Sequence, residues 1–387
     1  MLTSAGTTSE LLASQIRFDA PEEIHDALAA LGRTEDVRFS PSGSRLAFAC
    51  YELGQIAVAE VTISRSSAGV DIAVTSLAHC ESVPLQEPHG LDFVDEQTVV
   101  VGTRAGEIVV LRVPHAGTEG RAMRIGSLVS ALGAPGSVAL RPLTTEGYEL
   151  LAVHNWANAI TRYQLAEDGT LSRGDVVARR WLDLPDGLAV SSDERWLAVS
   201  NHNTHDVLVF DRAALHAEAD PVGVLRGVGY PHGLRFGLVD RLLLVADAGA
   251  PYVDVFERAG ASWATASYPM TSIRVVDDET FADGHRNPRE GGPKGLDVDP
   301  RTNVFAITAE TVPLAFFDLD VAFERNEARH DRVGYELERL RELERNRTAA
   351  SDAIAQLSAV LDTKAWRLTS PLRSAYGLGL RLRRRGR

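Results

Sequence analysis

Short runs of alternating apolar and polar residues fill the chain from about residue 36 to residue 320, bounded by Gly, Pro, Asp or Asn. Alternation of Val, Leu, Ile and Phe with polar residues between such turn signals predicts β-strands. Between Phe323 and Asp362 the period changes, and apolar residues recur every three or four positions, as in a helix. The pattern therefore predicts a β-rich body followed by a helical segment.

The strand-rich region is a repeat with a recurring opening motif. Pro-His-Gly-Leu occurs at Pro88 and Pro231, related openings occur at Pro135, Pro185 and Pro293, and a unit without the motif begins at Asp36. Successive starts are 52, 47, 50, 46 and 62 residues apart, by subtraction of these positions. A period near 50 residues with four short strands per unit is typical of β-propeller blades. The repeat predicts a six-bladed β-propeller over residues 36–321, because two β-sandwiches would not repeat one opening at even intervals.

The ring must close, because an incomplete last blade would leave an exposed sheet edge. The sixth unit supplies only three strands, whereas Leu11–Asp19 is a strand-like run with no blade of its own. We expect this N-terminal strand to complete the last blade. Ala20–Gly32 has a Pro near its start, acidic residues in its first turn and a Gly at its end, which predicts a short helix. Residues 1–35 thus form a closing strand and a helix.

The bulk composition excludes several classes of protein. With 387 residues, 44% of them apolar, the chain can bury a large core. Its two cysteines, Cys50 and Cys80, are not in a C-x-x-C motif, which argues against a disulfide framework or a zinc ribbon. The sequence shows no P-loop, dinucleotide fingerprint or G-x-S-x-G motif. It shows neither an apolar run of membrane-spanning length nor the layout of a signal peptide, so we expect a cytoplasmic protein.

Polar side chains recur at two positions of the repeat that lie at one end of a propeller channel. The first strand of a blade is innermost and the second is antiparallel to it, so the start of one and the end of the other meet at the mouth. The residue between Pro and Gly varies, whereas its neighbours shape the strand entry. The predicted ligand-binding residues at the starts are His89, Asp186, His232 and Lys294, and those at the ends are His154, Asn155, Asn201, His202, Asp247 and Glu310.

The longest interval between starts contains the polar stretch Asp277–Gly292, which joins an outer strand to the next inner strand. Long polar loops without strand character often form lids or binding loops. His285 and Arg286 on this loop could bind an anionic group. The convergent polar residues are consistent with a metal site, a polar ligand site or a hydrated funnel. Asn and carboxylate oxygens suit calcium, whereas His with carboxylate suits zinc.

The units "PDGLAVSSDERWLAVSNHNTHDVLVFD" and "PHGLRFGLVDRLLLVADAGAPYVDVFE" resemble six-bladed propellers of the gluconolactonase and strictosidine-synthase kind, and NHL-repeat and lactonase-like propellers. In the gluconolactonase kind, a Glu, Asn residues and an Asp hold a divalent metal at the mouth. The resemblance implies Asn155, Asn201 and Asp247 as metal ligands, while no counterpart of the Glu is identified. It makes a metal-dependent, lactonase-like hydrolase the alternative function.

The C-terminal part is of a different kind. Residues 322–363 form a charged helical segment in which Glu and Arg surround the apolar positions, which predicts a helix that self-associates as a coiled coil, most simply a dimer. The alternatives are a lone helix packed on the propeller or one extending freely. Residues 364–387 carry eight basic residues and no acidic ones, so the rest of the chain has a net charge of 32 − 53 = −21.

The basic segment interleaves aromatic and arginine residues, a composition that suits a helix lying on an anionic membrane surface. The alternative is a flexible basic tail that binds acidic protein or RNA, although we expect no nucleic-acid partner. The predicted membrane-binding residues are Trp366, Arg367, Arg373, Tyr376, Arg381, Arg383, Arg384 and Arg385.

The words "AWRLTSPLR" at Ala365–Arg373 resemble a C-terminal segment that follows coiled coils in bacterial glycosyltransferases and related enzymes of surface-polysaccharide assembly. The resemblance implies a peripheral protein on the inner face of the cytoplasmic membrane that works with O-antigen, capsule or exopolysaccharide machinery. The sequence thus predicts a non-catalytic propeller that binds a partner protein or a sugar ligand and acts as a scaffold beside those enzymes.

Overall fold

The strands of the repeat form six antiparallel sheets of four strands in the computed structural model, which describes residues 12–115, 121–144, 146–264, 266, 268–287, 289–299 and 301–324. The first sheet contains β2 (Thr34–Phe39), β3 (Arg45–Cys50), β4 (Gln55–Ser66) and β5 (Gly69–His79). The second contains β6 (Pro88–Asp95), β7 (Thr98–Thr103), β8 (Glu107–Arg112) and β9 (Met123–Val129). The third contains β10 (Pro135–Pro142), β11 (Tyr148–His154), β12 (Ala159–Leu165) and β13 (Asp175–Ala178).

The remaining three sheets follow the same order. The fourth contains β14 (Pro185–Val190), β15 (Trp196–Asn201), β16 (Asp206–Asp211) and β17 (Gly223–Leu225). The fifth contains β18 (Pro231–Gly237), β19 (Leu242–Asp247), β20 (Tyr252–Glu257) and β21 (Thr271–Arg274). The sixth contains β22 (Pro293–Asp299), β23 (Val304–Ala309), β24 (Ala315–Asp318) and β1 (Gln15–Ile16).

The first strands of the six sheets contact one another in turn, and β22 contacts β2, which closes the ring. The predicted six-bladed β-propeller is therefore confirmed. We call β2, β6, β10, β14, β18 and β22 the inner strands, and the end of the channel at which they begin the mouth. The second strands, such as Val99–Val101 of β7, are fully buried apolar runs because each sheet packs against a neighbour on both faces.

The N-terminal strand β1 completes the sixth sheet. Gln15 and Ile16 pair antiparallel with Phe317 and Phe316 of β24, and the Asp318 amide donates to the carbonyl oxygen of Ser14 at 2.8 Å. The strand predicted within Leu11–Asp19 is thus the outer edge of the last blade. The helix α1 (Glu22–Ala29) follows it and buries Leu28 against the first blade.

Two further short helices lie in the described part of the chain. The helix α2 (Asp278–Gly284) begins after Asp277, whose side chain accepts the Thr280 amide at 2.7 Å. The polar stretch Asp277–Gly292, predicted as a lid or binding loop without strand character, thus contains a capped helix in its first half. The helix α3 (Leu319–Glu324) follows the last strand. None of the described helices is long and apolar enough to cross a membrane.

Buried aspartates link several inner strands to their neighbours in the ring. The inner edge of every blade has backbone groups that no fifth strand can pair, and such groups need partners when buried. Asp36 accepts the Leu91 amide at 3.1 Å, and Asp297 accepts the Phe39 amide at 2.7 Å. In the reverse direction, Arg38 donates to the carbonyl oxygen of Leu296 at 3.0 Å. These contacts fix the spacing of the inner strands and hence the positions of the side chains at the mouth.

Candidate functional site

The second residue of each inner strand lies at the mouth. These six residues, which we call the slot residues, are Glu35, His89, Gly136, Asp186, His232 and Lys294. The five that have side chains are buried, with at most 3% of each residue exposed. The site is therefore a buried cluster of two acidic residues, two histidines and one lysine rather than an open funnel.

The glycine after the slot residue explains the repeated tetrapeptide. A Cβ on Gly187 would lie 2.1 Å from the carbonyl oxygen of His232, and one on Gly233 would lie 2.6 Å from that of Lys294. Neither glycine has a positive φ, so the requirement is close approach between neighbouring inner strands. The Gly thus brings the slot residues of adjacent blades within contact distance, which the sequence analysis had interpreted as a tight strand entry.

One half of the cluster is centred on Glu35. Its Oε2 lies 3.5 Å from Nε2 of His89 and 3.6 Å from Nε2 of His232. His89 Nδ1 lies 2.6 Å from the carbonyl oxygen of Gly136, which can only accept, so Nδ1 carries the proton. The unprotonated Nε2 of His89 therefore points towards the carboxylate and is available as a ligand atom.

The other half is centred on Asp186. Its carboxylate lies 3.2 Å from Nδ1 of His232 and 3.7 Å from Nε2 of His202. It also accepts a hydrogen bond from the side-chain Nδ2 of Asn155 at 2.7 Å. Arg104 donates to Asp186 at 3.1 Å, and the same Nη2 lies 2.7 Å from Nε2 of His89. His232 thus joins the two halves, and Arg104 covers them from the side of the second blade.

Lys294 is fully buried and is surrounded by carboxylates. Its Nζ lies 2.8 Å from Glu290, 3.1 Å from Glu310 and 3.4 Å from Glu35. Arg33 also forms an ion pair with Glu35. A buried ammonium group is tolerated only with such compensation, so Lys294 and its three partners act as a unit.

Burial and charge place the cluster in a defined protonation state. Burial lowers the pKa of His89 to about 4 and that of His202 to about 3. Burial alone would raise the pKa of Glu35, but Lys294, with smaller contributions from other cationic neighbours, lowers it below its ordinary value. Burial likewise opposes ionisation of Asp186, but electrostatic interactions, of which that with His232 is the largest, lower its pKa well below the ordinary value. At neutral pH the imidazoles of His89 and His202 are therefore neutral, and the carboxylates of Glu35 and Asp186 are ionised.

Two sets of three residues could each hold a metal ion within the described part of the chain. They are Glu35, His89 and His232, and Asp186, His202 and His232, and the ligand atoms of each set lie within 4.8 Å of one another. Glu35 Oε2 and His202 Nε2 are buried and make no hydrogen bond to any residue that the structure describes. Unpaired buried polar atoms are uncommon, and these two have the capacity to bind a further partner.

The structure brings most of the predicted ligand-binding residues together. The cluster includes the residues His89, Asn155, Asp186, His202, His232, Lys294 and Glu310. Arg286 lies at the rim, where it pairs with Glu310 at 3.3 Å. His285 packs against Phe281, with ring centroids 5.6 Å apart, and its side chain makes no hydrogen bond or ion pair to the cluster within the described residues.

The three metal ligands implied by the resemblance make different contacts. Asn201 donates from its side-chain amide to the carbonyl oxygen of Trp181 at 3.0 Å, and Asp247 accepts the backbone amides of Gly229 and Tyr230 at 2.6 and 2.7 Å. Asn155 reaches the cluster through Asp186. Asn201 and Asp247 thus hold backbone groups of the connecting loops, and this set of metal ligands stays a prediction.

His154 also has a structural role. Its Nδ1 bonds to the carbonyl oxygen of Gly133 at 2.7 Å, and its Nε2 bonds to Thr161 at 2.8 Å. With both ring nitrogens engaged inside the third blade, this predicted ligand-binding residue cannot contact a ligand at the mouth without losing those bonds.

Sequence analysis missed Glu35, Arg104 and Glu290. The signal for Glu35 was present, because Thr34-Glu35-Asp36-Val37 aligns with Pro88-His89-Gly90-Leu91 when the paired strands are superposed on their registers. The first repeat therefore starts two residues before Asp36, the start inferred from the sequence. Arg104 and Glu290 lie outside the repeated tetrapeptide and have no such signal.

Comparisons with known proteins agree on the fold. The profile of a family described as the lipoprotein LpqB beta-propeller domain matches residues 13–141. The chain is similar to a functionally unknown protein from Desulfotomaculum acetoxidans DSM 771, with a TM-score of 0.51, 14% identity, and coverage of 74% of this chain and 83% of that chain. No curated protein matches the chain.

Two further solved structures are similar at lower scores. A luciferin-regenerating enzyme has a TM-score of 0.49 and 13% identity, with 75% of this chain and 94% of that chain covered. A candidate gluconolactonase has a TM-score of 0.46 and 15% identity, with 74% and 89% covered. At identities this low, similarity concerns the fold alone. The six sheets closed into a ring define the class as a six-bladed β-propeller, and the family match over residues 13–141 agrees with a propeller.

The predicted coiled coil over 322–363 lies outside the described residues except for its first three positions, which belong to α3. The predicted membrane segment, 364–387, with Trp366, Tyr376 and its arginines, lies wholly outside them. Both remain predictions from the sequence.

Proposed function

We propose that the propeller mouth binds a divalent transition-metal ion, and that this centre is where the protein recognises its ligand. The observation that carries the proposal is the buried Oε2 of Glu35, which lacks a hydrogen bond to the described residues and lies 3.5 and 3.6 Å from two imidazole nitrogens. Bonds of about 2.0–2.1 Å from zinc to N and O place tetrahedral ligand atoms roughly 3.3 Å apart. The two distances from Glu35 are therefore close to the spacing that such an ion requires, and all three ligand atoms lie within 4.8 Å of one another.

The donor chemistry favours zinc or a similar ion over calcium. Calcium takes six to eight oxygen ligands, whereas imidazole nitrogens and one carboxylate suit zinc and related transition metals. Metal binding requires neutral imidazole and ionised carboxylate. His89 has a pKa of about 4 and the pKa of Glu35 is lowered, so these two residues are already in the required state at neutral pH.

In addition to the cations Lys294 and Arg33 that pair with Glu35, Arg104 opposes the metal on the His89 side. Its Nη2 occupies the Nε2 side of His89 at 2.7 Å, so it must turn away before an ion binds. Its side chain is 17% exposed and can turn towards solvent, unlike the fully buried Lys294. We propose that Arg104 then contacts an anionic group of the ligand.

Ligand binding has more support than hydrolysis. A bound zinc-type ion would supply Lewis acidity for the opening of an ester or lactone, as in the alternative function. The observation that favours this alternative is His202, whose unpaired Nε2 lies 3.7 Å from Asp186. A general base works best when its pKa is near the operating pH, whereas burial lowers the pKa of His202 to about 3. The imidazole is thus better suited to coordinate or to accept a hydrogen bond than to take a proton from water.

Glu35→Gln tests the metal centre. We expect the wild-type chain to take up one zinc per chain, measured by elemental analysis and calorimetry. Removal of the carboxylate should weaken zinc binding by more than the about 10–100-fold that loss of an outer-shell partner causes.

Arg104→Ala should strengthen zinc binding, because it frees Nε2 of His89. Affinity should change little between pH 6 and 8 on account of His89, and should fall as pH approaches its pKa of about 4.

The matched control is Glu52→Gln, since the Glu52 side chain is 51% exposed and pairs at the rim with Arg286 at 3.5 Å. Its zinc affinity should equal that of the wild type. Stoichiometric zinc binding that survives Glu35→Gln would show that the ion sits elsewhere, and a wild-type chain that takes up no zinc, cobalt or nickel would refute the proposal.

We further propose that residues 364–387 attach the propeller to the inner face of the cytoplasmic membrane, beside surface-polysaccharide enzymes. The support is compositional, since this segment has eight basic residues and no acidic ones together with Trp366 and Tyr376. Each Arg near an anionic leaflet gains about 1 kcal/mol. In a co-sedimentation assay, chain 1–363 should therefore remain in the supernatant with vesicles that contain phosphatidylglycerol, whereas the full chain should sediment with them.

Neutral phosphatidylcholine vesicles are the control for this experiment, and the full chain should bind them weakly. Added salt should release the full chain from the anionic vesicles, because surface electrostatic attraction is screened. Equal binding of the full and shortened chains to anionic vesicles would contradict the membrane assignment.

A further inference from the structure

Two tryptophans on the mouth side of the third and fourth blades are unusually exposed. Trp156 is 73% exposed and Trp181 is 52% exposed, whereas Trp196 and Trp263 are buried in the core. A large exposed aromatic surface commonly marks an interaction site. The two exposed indoles are not needed to fill the core, so their position calls for another role.

The two tryptophans belong to loops that are joined to each other. Trp156 lies in the turn between β11 and β12, and Trp181 lies in the connection from β13 to β14. Asn158 accepts the Leu184 amide at 2.9 Å, which ties the first turn to the second loop. Asn155, directly before Trp156, donates to Asp186 at 2.7 Å. Both loops are therefore anchored to the rim of the buried cluster.

The backbone that presents Trp181 is strained. Trp181 has a φ of 72° and Leu184 a φ of 51°, a region that bulky residues rarely adopt. Such conformations persist only where the surrounding structure holds them. Asn201 supplies part of that hold, because its amide donates to the carbonyl oxygen of Trp181 at 3.0 Å and its Oδ1 accepts the Asp183 amide at 3.1 Å.

The Trp181 side chain is also fixed in orientation. Its Nε1 donates to Asp220 at 2.8 Å, and the Arg180 guanidinium lies 5.5 Å from the ring centroid and 3.0 Å from the same carboxylate. Arg180 and Asp220 keep 51% and 65% of their side chains exposed. The rim thus presents a held indole face bordered by a paired, solvent-accessible cation and carboxylate.

We propose that Trp156 and Trp181 form an aromatic platform that binds a saccharide at the rim of the mouth. A pyranose ring has apolar C–H faces that stack on an indole, and hydroxyl groups around its edge that need both donors and acceptors. Arg180 donates and Asp220 accepts at the edge of the indole. A purely apolar ligand would displace water from this exposed pair without replacing its hydrogen bonds, which is costly. The fixed indole reduces the entropy that binding must otherwise lose.

Titration calorimetry with maltohexaose, cellohexaose, chitohexaose and mannohexaose tests the platform in the full chain. At concentrations up to about 10 mM, even a ligand with a Kd near 1 mM gives a measurable isotherm. We expect at least one oligosaccharide to bind, and Trp156→Ala and Trp181→Ala each to weaken it by about tenfold or more. Tyr268→Ala, which removes another aromatic residue that is 68% exposed, should leave the affinity unchanged.

Asn201→Ala tests whether the held loop matters, because it leaves both indoles in place but removes the support of the Trp181 carbonyl group. It should weaken saccharide binding less than Trp181→Ala does, with unchanged zinc uptake. Glu35→Gln should abolish zinc binding and spare saccharide binding, so the platform and the metal centre can fail separately. The proposal would be overturned if none of the four oligosaccharides bound, or if both Trp→Ala variants bound as tightly as the wild type. It would also be overturned if the wild type bound a proline decapeptide but no oligosaccharide.

Discussion

Replacement of Lys294 by Met should lower the free energy of unfolding by about 3–5 kcal/mol, the loss expected when one partner of a buried ion pair is removed. Lys294 is fully buried with three carboxylates within 3.4 Å, so the variant would leave these charges without their central cation. The midpoint of urea unfolding, followed by circular dichroism, measures the effect.

The pH dependence separates loss of charge from loss of packing. Burial tends to raise the pKa of Glu35 and Glu290, and Lys294 is the main group that lowers both. Without it, their folded-state pKa values rise, so the folded variant binds protons at higher pH than the wild type does. Its stability deficit should therefore be smaller at pH 5 than at pH 8. A deficit that is the same at both pH values would contradict the electrostatic explanation.

A second variant provides the control for this prediction. Lys294→Met combined with Glu35→Gln should be more stable than Lys294→Met alone, because one buried uncompensated charge is removed. The coupling between the two sites should reach about 1 kcal/mol or more, as expected for residues in one ion-pair network. Additive effects of the two substitutions would show that Lys294 does not act through Glu35.

Gly187→Ala should be the most damaging conservative substitution in the inner strands. The added Cβ would lie 2.1 Å from the carbonyl oxygen of His232 and 3.0 Å from the Ser200 hydroxyl. Because the nearest atom is backbone of a neighbouring inner strand, the blades must separate to accommodate the methyl group. We expect a loss of about 3 kcal/mol or more, at the upper end of the range for overpacking, measured by urea unfolding.

Gly237→Ala is its matched control. Gly237 ends the inner strand of the fifth blade, and its added Cβ would meet only side-chain atoms of Leu244 and Leu319, at 3.2 and 4.0 Å. Side chains can adjust, so the loss should be below about 1 kcal/mol. Similar losses in the two variants would mean that close approach between inner strands is not what the repeated glycine provides.

The fold was largely predictable because the repeated tetrapeptide marks the start of each inner strand and the close approach of the next inner strand. Pro88 and Gly90 restrict the backbone and the inter-blade distance, which leaves His89 as the variable residue. The same reasoning placed Asp186, His232 and Lys294 correctly at the mouth. Glu35 was missed because Thr34 and Asp36 replace Pro and Gly in the first blade, so that the opening lacks its usual residues.

The candidate site was less predictable because side-chain direction at a strand end is set by loop geometry. Asn201 and His202 are adjacent in sequence, yet His202 points to Asp186 while Asn201 turns back to Trp181. Similarly, Arg104 reaches the cluster from a turn outside the repeated motif. Neither the repeat period nor the composition tells which of these side chains joins the cluster and which bonds to a loop.

The pairing of β1 with β24 has a consequence for folding during synthesis. Ile16 pairs with Phe316, which follows it by 300 residues (316 − 16). Closing so long a loop costs about 3 kcal/mol more than closing one of about ten residues. At about 5–20 residues per second, a ribosome needs roughly 15–60 s to synthesise the intervening segment. Throughout that time the nascent N-terminal strand has no partner, so ring closure must be among the last events of biosynthesis.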